Sequence, residues 1–376
     1  MGDSSVTYFP VGNGDTSLIK LSDGTTMIVD INVCADDMNY DVHAHLVREC
    51  REENGISHAD AFLLSHPDQD HVRGFDTVFY VGDPTKYSNA DKKNKRIVID
   101  ELWFSPRIFS PHEKDMCETA KLVKKEAERR MDLYKKDKPE ADKPGNRIRI
   151  IGYTDNPDFV ALKDLFVIPG NRTSRINGSI RQDFSMFIHA PTKKDTDSKW
   201  SERNDTSIVF QATFRVGNID RAGLAMFGGD AGCSIWEDII GKSKDIDLEF
   251  DLFLAPHHCS WTFFSEEPSE ENDPSPTIVN FLEKRKRKGA IAISSSKPIK
   301  DDDDNPPHYI AKQKYQDILG EDNLICTGEH PSEEQPEPIY FTMTKTGPVK
   351  DEYPRKSQVV SSAAISATVS SPKTYG

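Results

Sequence analysis

The segment ADAFLLSHPDQDHVRG, residues 59–74, constrains the fold more strongly than any other stretch of the chain. Its apolar run is continuous, as in strands that are buried on both faces of a sheet. The run ends at His66, and Asp68, Asp70 and His71 follow at once. A buried strand that delivers two imidazoles and two carboxylates to one loop predicts a polar site at the edge of a sheet.

Three other apolar runs end in the same way. Asp30 follows TTMIV, Asp230 follows GLAMFGG, and the pair His257 and His258 follows FLAP. Any one of these residues alone is typical of a turn or of a hydrogen-bonded polar group. Four strands with such endings predict a shared site. Carboxylates and imidazoles together are ligands for divalent metals, so the pattern favours a dinuclear metal centre.

The order of the elements predicts the α/β class. Two blocks of strand-like segments, each with helical segments, predict two packed sheets flanked by helices in one domain over residues 1–350. Residues 351–376 are rich in Ser, Thr, Ala and Lys without periodicity, which predicts a flexible tail. Basic residues outnumber acidic ones over residues 86–149. We expect this charged segment to form a helical insertion outside the core and to offer a surface for a protein partner.

Composition limits the classes of function. The chain has 376 residues and a net charge of -14, which disfavours indiscriminate binding to nucleic acid. The basic insertion and the run Lys284–Lys288 leave specific nucleic-acid binding open. No apolar run approaches the roughly 18 residues of a membrane span, and no secretory pattern is visible. The six cysteines form no CxxC pair, so we expect a cytoplasmic protein with no membrane partner.

A series of short motifs runs through residues 6–345 in the order VGNGD, IVD, HPDQDH, NDTSIV, MFGGD, APHHCS and NPPH. This ordered series resembles the metallo-β-lactamase superfamily, whose signature HxHxDH corresponds to HPDQDH. Within the superfamily, it is most similar to the soluble hydrolase domains of ComEC competence proteins. The resemblance implies a four-layer αβ/βα sandwich that carries a metal-dependent hydrolase site.

The resemblance also implies a set of metal ligands. One metal would be bound by His66, Asp68 and Asp230. The second would be bound by Asp70, His71 and His257, with Asp230 bridging the two. In this scheme Asp70 and Asp230 are catalytic residues as well as metal ligands.

Other positions receive supporting roles from the same resemblance. Asp30 would orient a ligand, and His258 would support the site. Asn204 or Asp205 stands where many relatives carry a further histidine at the first metal. His308 matches a position that approaches the substrate, and we expect it to be catalytic.

The carboxylate at position 68 indicates which metal is preferred. Replacing an imidazole by Asp68 makes the first site rich in oxygen, and oxygen ligands suit Mn²⁺ or Mg²⁺ better than the nitrogen and sulfur ligands typical of Zn²⁺. We therefore expect two divalent ions, Mn²⁺ or Zn²⁺, with Mg²⁺ as a further option. The alternative is that Asp68 marks the decay of one metal site.

Three functions remain open at this stage. The first is a phosphodiesterase, most of all a nuclease, in which a hydroxide held by the metals attacks phosphorus. The second is a hydrolase of small molecules such as a cyclic nucleotide, a lactone or a thioester. The third is a catalytically degraded module of a protein complex. A fold of this kind supports all three, since fold does not determine substrate.

Overall fold

A computed structural model describes residues 2–33, 40–109, 116–153, 157–192, 204–266 and 273–352. Residues 353–376, and with them almost all of the predicted tail, lie outside the described residues. The strands are β1 Ser5–Tyr8, β2 Ser17–Lys20, β3 Thr26–Val29, β4 Arg51–Glu53, β5 Ile56–Leu63, β6 Val98–Phe104, β7 Arg147–Ile151, β8 Phe166–Val167, β9 Arg172–Thr173, β10 Arg175–Ile176, β11 Ser179–Ile180, β12 Phe184–Ala190, β13 Val209–Val216, β14 Ile219–Phe227, β15 Phe250–Leu254, β16 Lys286–Ser294, β17 Leu324–Cys326, β18 Ile339–Thr344 and β19 Gly347–Asp351.

Helices connect and cover these strands. The helical segments are α1 Val42–Glu49, α2 Gln69–Val72, α3 Phe75–Val78, α4 Asn89–Lys93, α5 Glu118–Lys136, α6 Lys138–Ala141, α7 Cys233–Lys242, α8 Asp245–Leu248, α9 Pro256–Cys259, α10 Pro276–Arg285 and α11 Tyr309–Leu319. The predicted α/β class is confirmed. Across the described residues, no helix combines the length and the apolar character needed to cross a membrane.

Two large sheets organise the chain. The ten-stranded sheet has the order β19-β18-β1-β2-β3-β5-β6-β7-β8, with β4 beside β5, and the seven-stranded sheet has the order β17-β16-β15-β14-β13-β12-β9. Strands β3, β5 and β6 run parallel to one another, as do β14, β15 and β16. Parallel strands end at the same edge, so the segments after β3 and β5 lie together, and those after β14 and β15 do the same.

Aromatic and aliphatic side chains from both sheets form one interior cluster. The ring of Tyr8 from β1 lies 6.0 Å from that of Phe227 in β14, and Phe227 stacks on Phe210 of β13 at 4.7 Å. A second cluster joins α1, α3 and α5 to the other face of the ten-stranded sheet. A third joins α7, α10 and α11 to the other face of the seven-stranded sheet. Burial of these apolar faces is what fixes the strand ends in space.

The expectation of an insertion outside the core over residues 86–149 is wrong. This segment contains β6, which is buried along its whole length and pairs with both β5 and β7. It also contains α5, whose Val123, Ala127 and Met131 belong to the cluster on the ten-stranded sheet. The charged residues of α5 conceal an apolar stripe at helical spacing, because the charge lies mostly on the opposite face.

Met131→Ala tests this role of α5. Met131 is 8% exposed in the cluster. Its truncation should lower the free energy of unfolding by about 2–5 kcal/mol, the cost of removing buried apolar atoms and leaving a cavity. Chemical denaturation measures the change. The control Lys125→Ala lies on the exposed face of the same helix and should stay within about 0.5 kcal/mol of wild type. Equal small effects of both substitutions would contradict the packing role.

Candidate metal centre

Asp230 lies at the centre of the residues that the strands bring together. It follows β14 and is 3% exposed. Four imidazoles direct Nε2 at its carboxylate. The separations are 3.1 Å to Oδ1 for His71 and, to Oδ2, 3.5 Å for His66, 3.6 Å for His258 and 3.9 Å for His257. The carboxylate therefore faces imidazoles on both of its oxygens.

The other ring nitrogen of each imidazole faces an oxygen of the protein. The distances from Nδ1 are 3.0 Å to Ser65 Oγ for His66, 2.8 Å to Asp30 Oδ2 for His71, 3.2 Å to Thr262 Oγ1 for His257 and 3.5 Å to Asp15 Oδ1 for His258. A carboxylate can only accept, so His71 donates from Nδ1 to Asp30, which leaves Nε2 available for a metal beside Asp230. Metal-bound histidines are oriented in this way by a carboxylate or another oxygen at the second ring nitrogen.

Asp30 and Ser65 connect two of these imidazoles. The Asp30 carboxylate accepts from the backbone N–H of Ser65 at 2.7 Å, from its hydroxyl at 2.6 Å and from His71 Nδ1 at 2.8 Å. The Ser65 hydroxyl proton is thereby directed at Asp30, which leaves Ser65 Oγ to accept from His66 Nδ1. The predicted orienting role of Asp30 thus extends through Ser65 to His66.

The turn between β1 and β2 brings a further carboxylate to the cluster. Asp15 is 5% exposed, and its backbone N–H donates to the carbonyl of Asp70 at 3.2 Å. Gly14 precedes it with φ 150°, and a Cβ at this position would lie 2.6 Å from Asp70 O. Only glycine permits this approach of the two loops. One ligand atom from each of Asp15, His71, Asp230 and His258 lies within 4.8 Å of all the others.

Left-handed backbone conformations occur where the site residues sit. His257, His258 and Cys259 have φ of 49°, 54° and 68°, and Asp30 has φ 56°. Such conformations cost non-glycine residues of order 1–3 kcal/mol each and tend to cluster at functional sites. The turn after β15 is held by hydrogen bonds from His257 N to Gly229 O and from His308 N to Cys259 O, both 3.0 Å.

The electrostatics of the cluster demand positive charge. Burial alone lowers the pKa of His71, but the carboxylates of Asp230 and Asp30 outweigh it and hold that pKa well above its ordinary value. Burial likewise opposes charge on His258, and Asp230 with Asp15 and Asp70 raises its pKa well above normal. Against the effect of burial, His71, His258 and His66 hold the pKa of Asp230 well below normal. Without a metal, His71 and His258 would therefore bind protons.

These residues fit a divalent metal. Among the described residues, the buried atoms His66 Nε2, His71 Nε2, His258 Nε2 and Asp230 Oδ1 have no hydrogen-bond partner. Ligands held about 2.0–2.3 Å from a shared cation lie roughly 3–4 Å from one another, which matches the separations of 3.1–3.9 Å around Asp230. The donors are imidazole nitrogens and carboxylate oxygens, which suit Zn²⁺ and Mn²⁺.

The sequence-predicted residues fall into two groups. His66, His71, Asp70, Asp230 and His257 meet at the cluster, and Asp68 Oδ2 lies 4.0 Å from His66 Nε2 at its edge. His258, expected only to support the site, is fully buried and lies 3.2 Å from Asp70 Oδ2, whereas His257 is 24% exposed. His258 is therefore placed as a ligand at least as well as His257.

The sequence also predicts site roles for Asn204, Asp205 and His308. The described contacts do not join the Asn204 side chain to the cluster, and the side chain of Asp205 lies outside what the structure describes. The motif that contains them acts through Ser207, whose Oγ accepts from the backbone N–H of Asp230 at 3.2 Å. His308 is 4% exposed, and its ring lies 5.8 Å from that of Trp261. This placement suits holding the turn after β15 rather than reaching a substrate.

Asp15 is the residue that the sequence interpretation did not assign. Its signal was present, because VGNGD places a carboxylate directly after a glycine turn. Nothing in a local pattern shows that this turn reaches a loop more than fifty residues further along the chain.

A scan against protein-family models found no match for this chain, and a search of curated proteins found no significant match.

Paired substitutions at His257 and His258 distinguish their roles. His258→Ala should remove at least as much bound metal as His257→Ala, because both Nε2 atoms face Asp230 and His258 is the more deeply buried. Mass spectrometry of metal content after dialysis against a chelator measures the loss. His43→Ala on α1 is the control, since its Nε2 bonds to Lys95 O far from the cluster. Full retention of metal by His258→Ala would contradict a ligand role.

Asp30→Asn tests the orienting network. The amide keeps the shape of the side chain but cannot accept from Ser65 N–H, Ser65 O–H and His71 Nδ1 together. We expect metal affinity to fall about 10–100-fold, as is typical for partners behind the ligands, with the fold retained by circular dichroism. Competition titration with a metal-sensitive chelator measures the affinity. Asp238→Asn on the exposed face of α7 should leave it unchanged, and an unchanged affinity in Asp30→Asn would refute the role.

Proposed function

We propose that this chain is a divalent-metal-dependent hydrolase with the four-layer αβ/βα architecture of the metallo-β-lactamase superfamily. The single observation that carries the proposal is the convergence of four imidazole Nε2 atoms on the buried carboxylate of Asp230. The packing of two sheets on each other, with helices on their outer faces, is consistent with that architecture.

We assign the cluster to two metal positions that share Asp230. His66, Asp68 and His257 would hold one ion, and Asp15, Asp70, His71 and His258 would hold the other. The first metal position is then less rich in oxygen than Asp68 alone indicated, because His257 adds a second nitrogen ligand to it. Each set then contains two imidazoles, so Zn²⁺ and Mn²⁺ are both suitable.

The bound ions would supply Lewis acidity that neutralises an anionic substrate and activates water. The protein residues set where this happens. Asp68, Asp70 and His257 are 20%, 31% and 24% exposed, whereas His66, His71 and His258 are nearly or fully buried. The substrate therefore approaches from the side of Asp68, Asp70 and His257. Asp30 and Ser65 hold the buried imidazoles in one orientation, which avoids a cost of reorganisation during the reaction.

We infer a phosphodiester as the substrate, with nucleic acid as the leading class. A set of five carboxylates, namely Asp15, Asp30, Asp68, Asp70 and Asp230, needs more than one divalent ion for neutrality. Paired ions are typical of enzymes that cleave phosphodiesters, where they contact both the attacking and the leaving oxygen.

Asp230→Ala is the decisive variant because Asp230 is shared by both proposed positions. We expect it to lose bound metal at both and to lower phosphodiester cleavage by at least about 10³-fold, while circular dichroism shows a retained fold. Cleavage of bis(p-nitrophenyl) phosphate and of labelled DNA and RNA oligonucleotides with Mn²⁺, Mg²⁺ or Zn²⁺ measures activity, and mass spectrometry measures metal. Asp238→Ala is the control.

The outcomes separate the competing functions. Wild type that binds metal and cleaves only lactones, thioesters or cyclic nucleotides would indicate a small-molecule hydrolase. Wild type that binds no metal under any condition would refute the hydrolase and favour a degraded module.

A further inference from the structure

Strand β7 carries an arginine pattern that the metal centre does not use. Its sequence RIRII alternates, and Ile148 and Ile150 are buried in the cluster beneath α5. Arg147 and Arg149 therefore point to the other face, in register with Glu101 and Trp103 of β6. That face of the sheet is otherwise part of the interior cluster between the two sheets. Arg149 lies over the Trp103 ring at 5.9 Å and pairs with Glu101, whereas Arg147 has no carboxylate partner among the described residues.

These guanidiniums border a cavity of about 520 Å³ at the edge of the ten-stranded sheet. Arg175, from the β10–β11 hairpin, lines the same cavity, and so do Lys138 and Tyr134. The volume falls in the range of about 300–1,000 Å³ that is usual for small-molecule sites. Three arginines from two elements thus face one space.

Two of the three carboxylates at this cavity are engaged with other groups. Glu101 accepts from Trp103 Nε1 at 2.8 Å and from Asn177 N at 2.9 Å, and lies 3.3 Å from Arg149 Nη2. Asp164 lies 3.7 Å from Lys138 Nζ. Asp142 also lines the cavity, so Lys138 and the three arginines face three carboxylates, and the charge at the cavity is net positive.

Arg147 and Arg175 have neutral partners instead. Arg147 Nη1 donates to Asn177 Oδ1 at 2.5 Å, and Arg175 Nη1 donates to Gly178 O at 2.8 Å. Neither guanidinium has a carboxylate within ion-pair distance in the described part of the chain, and there Arg149 Nε is buried without a hydrogen-bond partner. Gly178 has φ 74°, and a Cβ there would lie 3.2 Å from Arg147 Nε, so the turn is shaped to the guanidinium.

A second arginine-lined groove, of about 580 Å³, shows the contrast. Its four arginines each have a carboxylate partner. The pairs are Arg172 with Asp247, Arg181 with Asp23, Arg215 with Asp220 and Arg221 with Glu249, at 2.7–3.1 Å. Arginines alone therefore do not distinguish the first cavity; what distinguishes it is that Arg147 and Arg175 have no carboxylate partner among the described residues.

We propose that the cavity bounded by Arg147, Arg149 and Arg175 binds a phosphoryl anion. Guanidinium groups bind phosphate oxygens through paired charge-assisted hydrogen bonds, and the donors of Arg147 and Arg175 that do not contact Asn177 or Gly178 remain for such a ligand. The phosphoryl group belongs either to a small phosphorylated compound or to the backbone of a nucleic acid. The site is separate from the cluster around Asp230 and does not rest on the proposed hydrolase function.

Calorimetric titration of the full chain tests the site with three probes: inorganic pyrophosphate, adenosine 5′-monophosphate and a short single-stranded oligonucleotide. All preparations have matched metal content, so any binding at the cluster is common to them. The double variant Arg147→Gln with Arg175→Gln should weaken binding at least about tenfold for every probe that wild type binds, because two charge-assisted contacts are lost. The control double variant Arg215→Gln with Arg221→Gln, from the contrasting groove, also removes two charges and should stay within about twofold of wild type.

Each outcome decides the question. Binding of the mononucleotide that the double variant loses supports a site for a small phosphorylated compound, and loss confined to the oligonucleotide supports a backbone site. Equal affinity in wild type and the double variant overturns the proposal, as does no binding of any probe at millimolar concentration. If the double variant fails to fold, Arg175→Gln alone gives the answer, since Arg175 is exposed and its guanidinium donates to the backbone carbonyl of Gly178 in the same hairpin. It should weaken binding about threefold or more.

Discussion

A buried carboxylate at Asp230 is stable only if positive charge stands against it. Removing a charge from water costs several kcal/mol even after relaxation of the protein, and no Lys or Arg of the described residues forms an ion pair with Asp230. Its neighbours are imidazoles, which are cationic only when they are protonated. If the imidazoles are neutral, a metal bound to them can supply the positive charge that Asp230 needs. The ends of β3, β5, β14 and β15 must meet for these groups to come together. The site therefore depends on the two-sheet architecture.

The backbone supports the same conclusion. His257, His258 and Cys259 adopt left-handed conformations in succession, although each would lower its local energy in an ordinary region of φ and ψ. Hydrogen bonds to Gly229 and from His308 hold the turn on both sides. Glycines would adopt these angles without strain, but they could not supply two imidazoles. The strained turn is understandable if placing both imidazole rings beside Asp230 gives more stabilisation than the backbone strain costs.

The sequence predicted the α/β class and most of the cluster, because a strand-ending carboxylate or imidazole is a local signal. It assigned no ligand role to Asp15, whose turn reaches Asp70 through a long-range contact. It ranked His257 above His258 as a ligand, whereas the structure buries His258 more deeply and places it 3.2 Å from Asp70. The positive φ at both positions redirects their side chains, and no residue pattern reports that angle at a non-glycine position. Residues 86–149 were wrongly expected to lie outside the core for another reason. The many charged residues of α5 made its apolar stripe of Val123, Ala127 and Met131 hard to recognise in the sequence.

The charge balance indicates how protons and metals compete in this cluster. Five carboxylates and four imidazoles meet around Asp230 and its partners, if Asp30 behind His71 is included. The carboxylates carry five negative charges, and two divalent ions bound to neutral imidazoles would leave one of them. Without a metal, protons on His71 and His258 supply positive charge at the same Nε2 atoms that would bind the ions. The raised pKa values of His71 and His258 in the absence of a metal thus show that the geometry of the site favours cations.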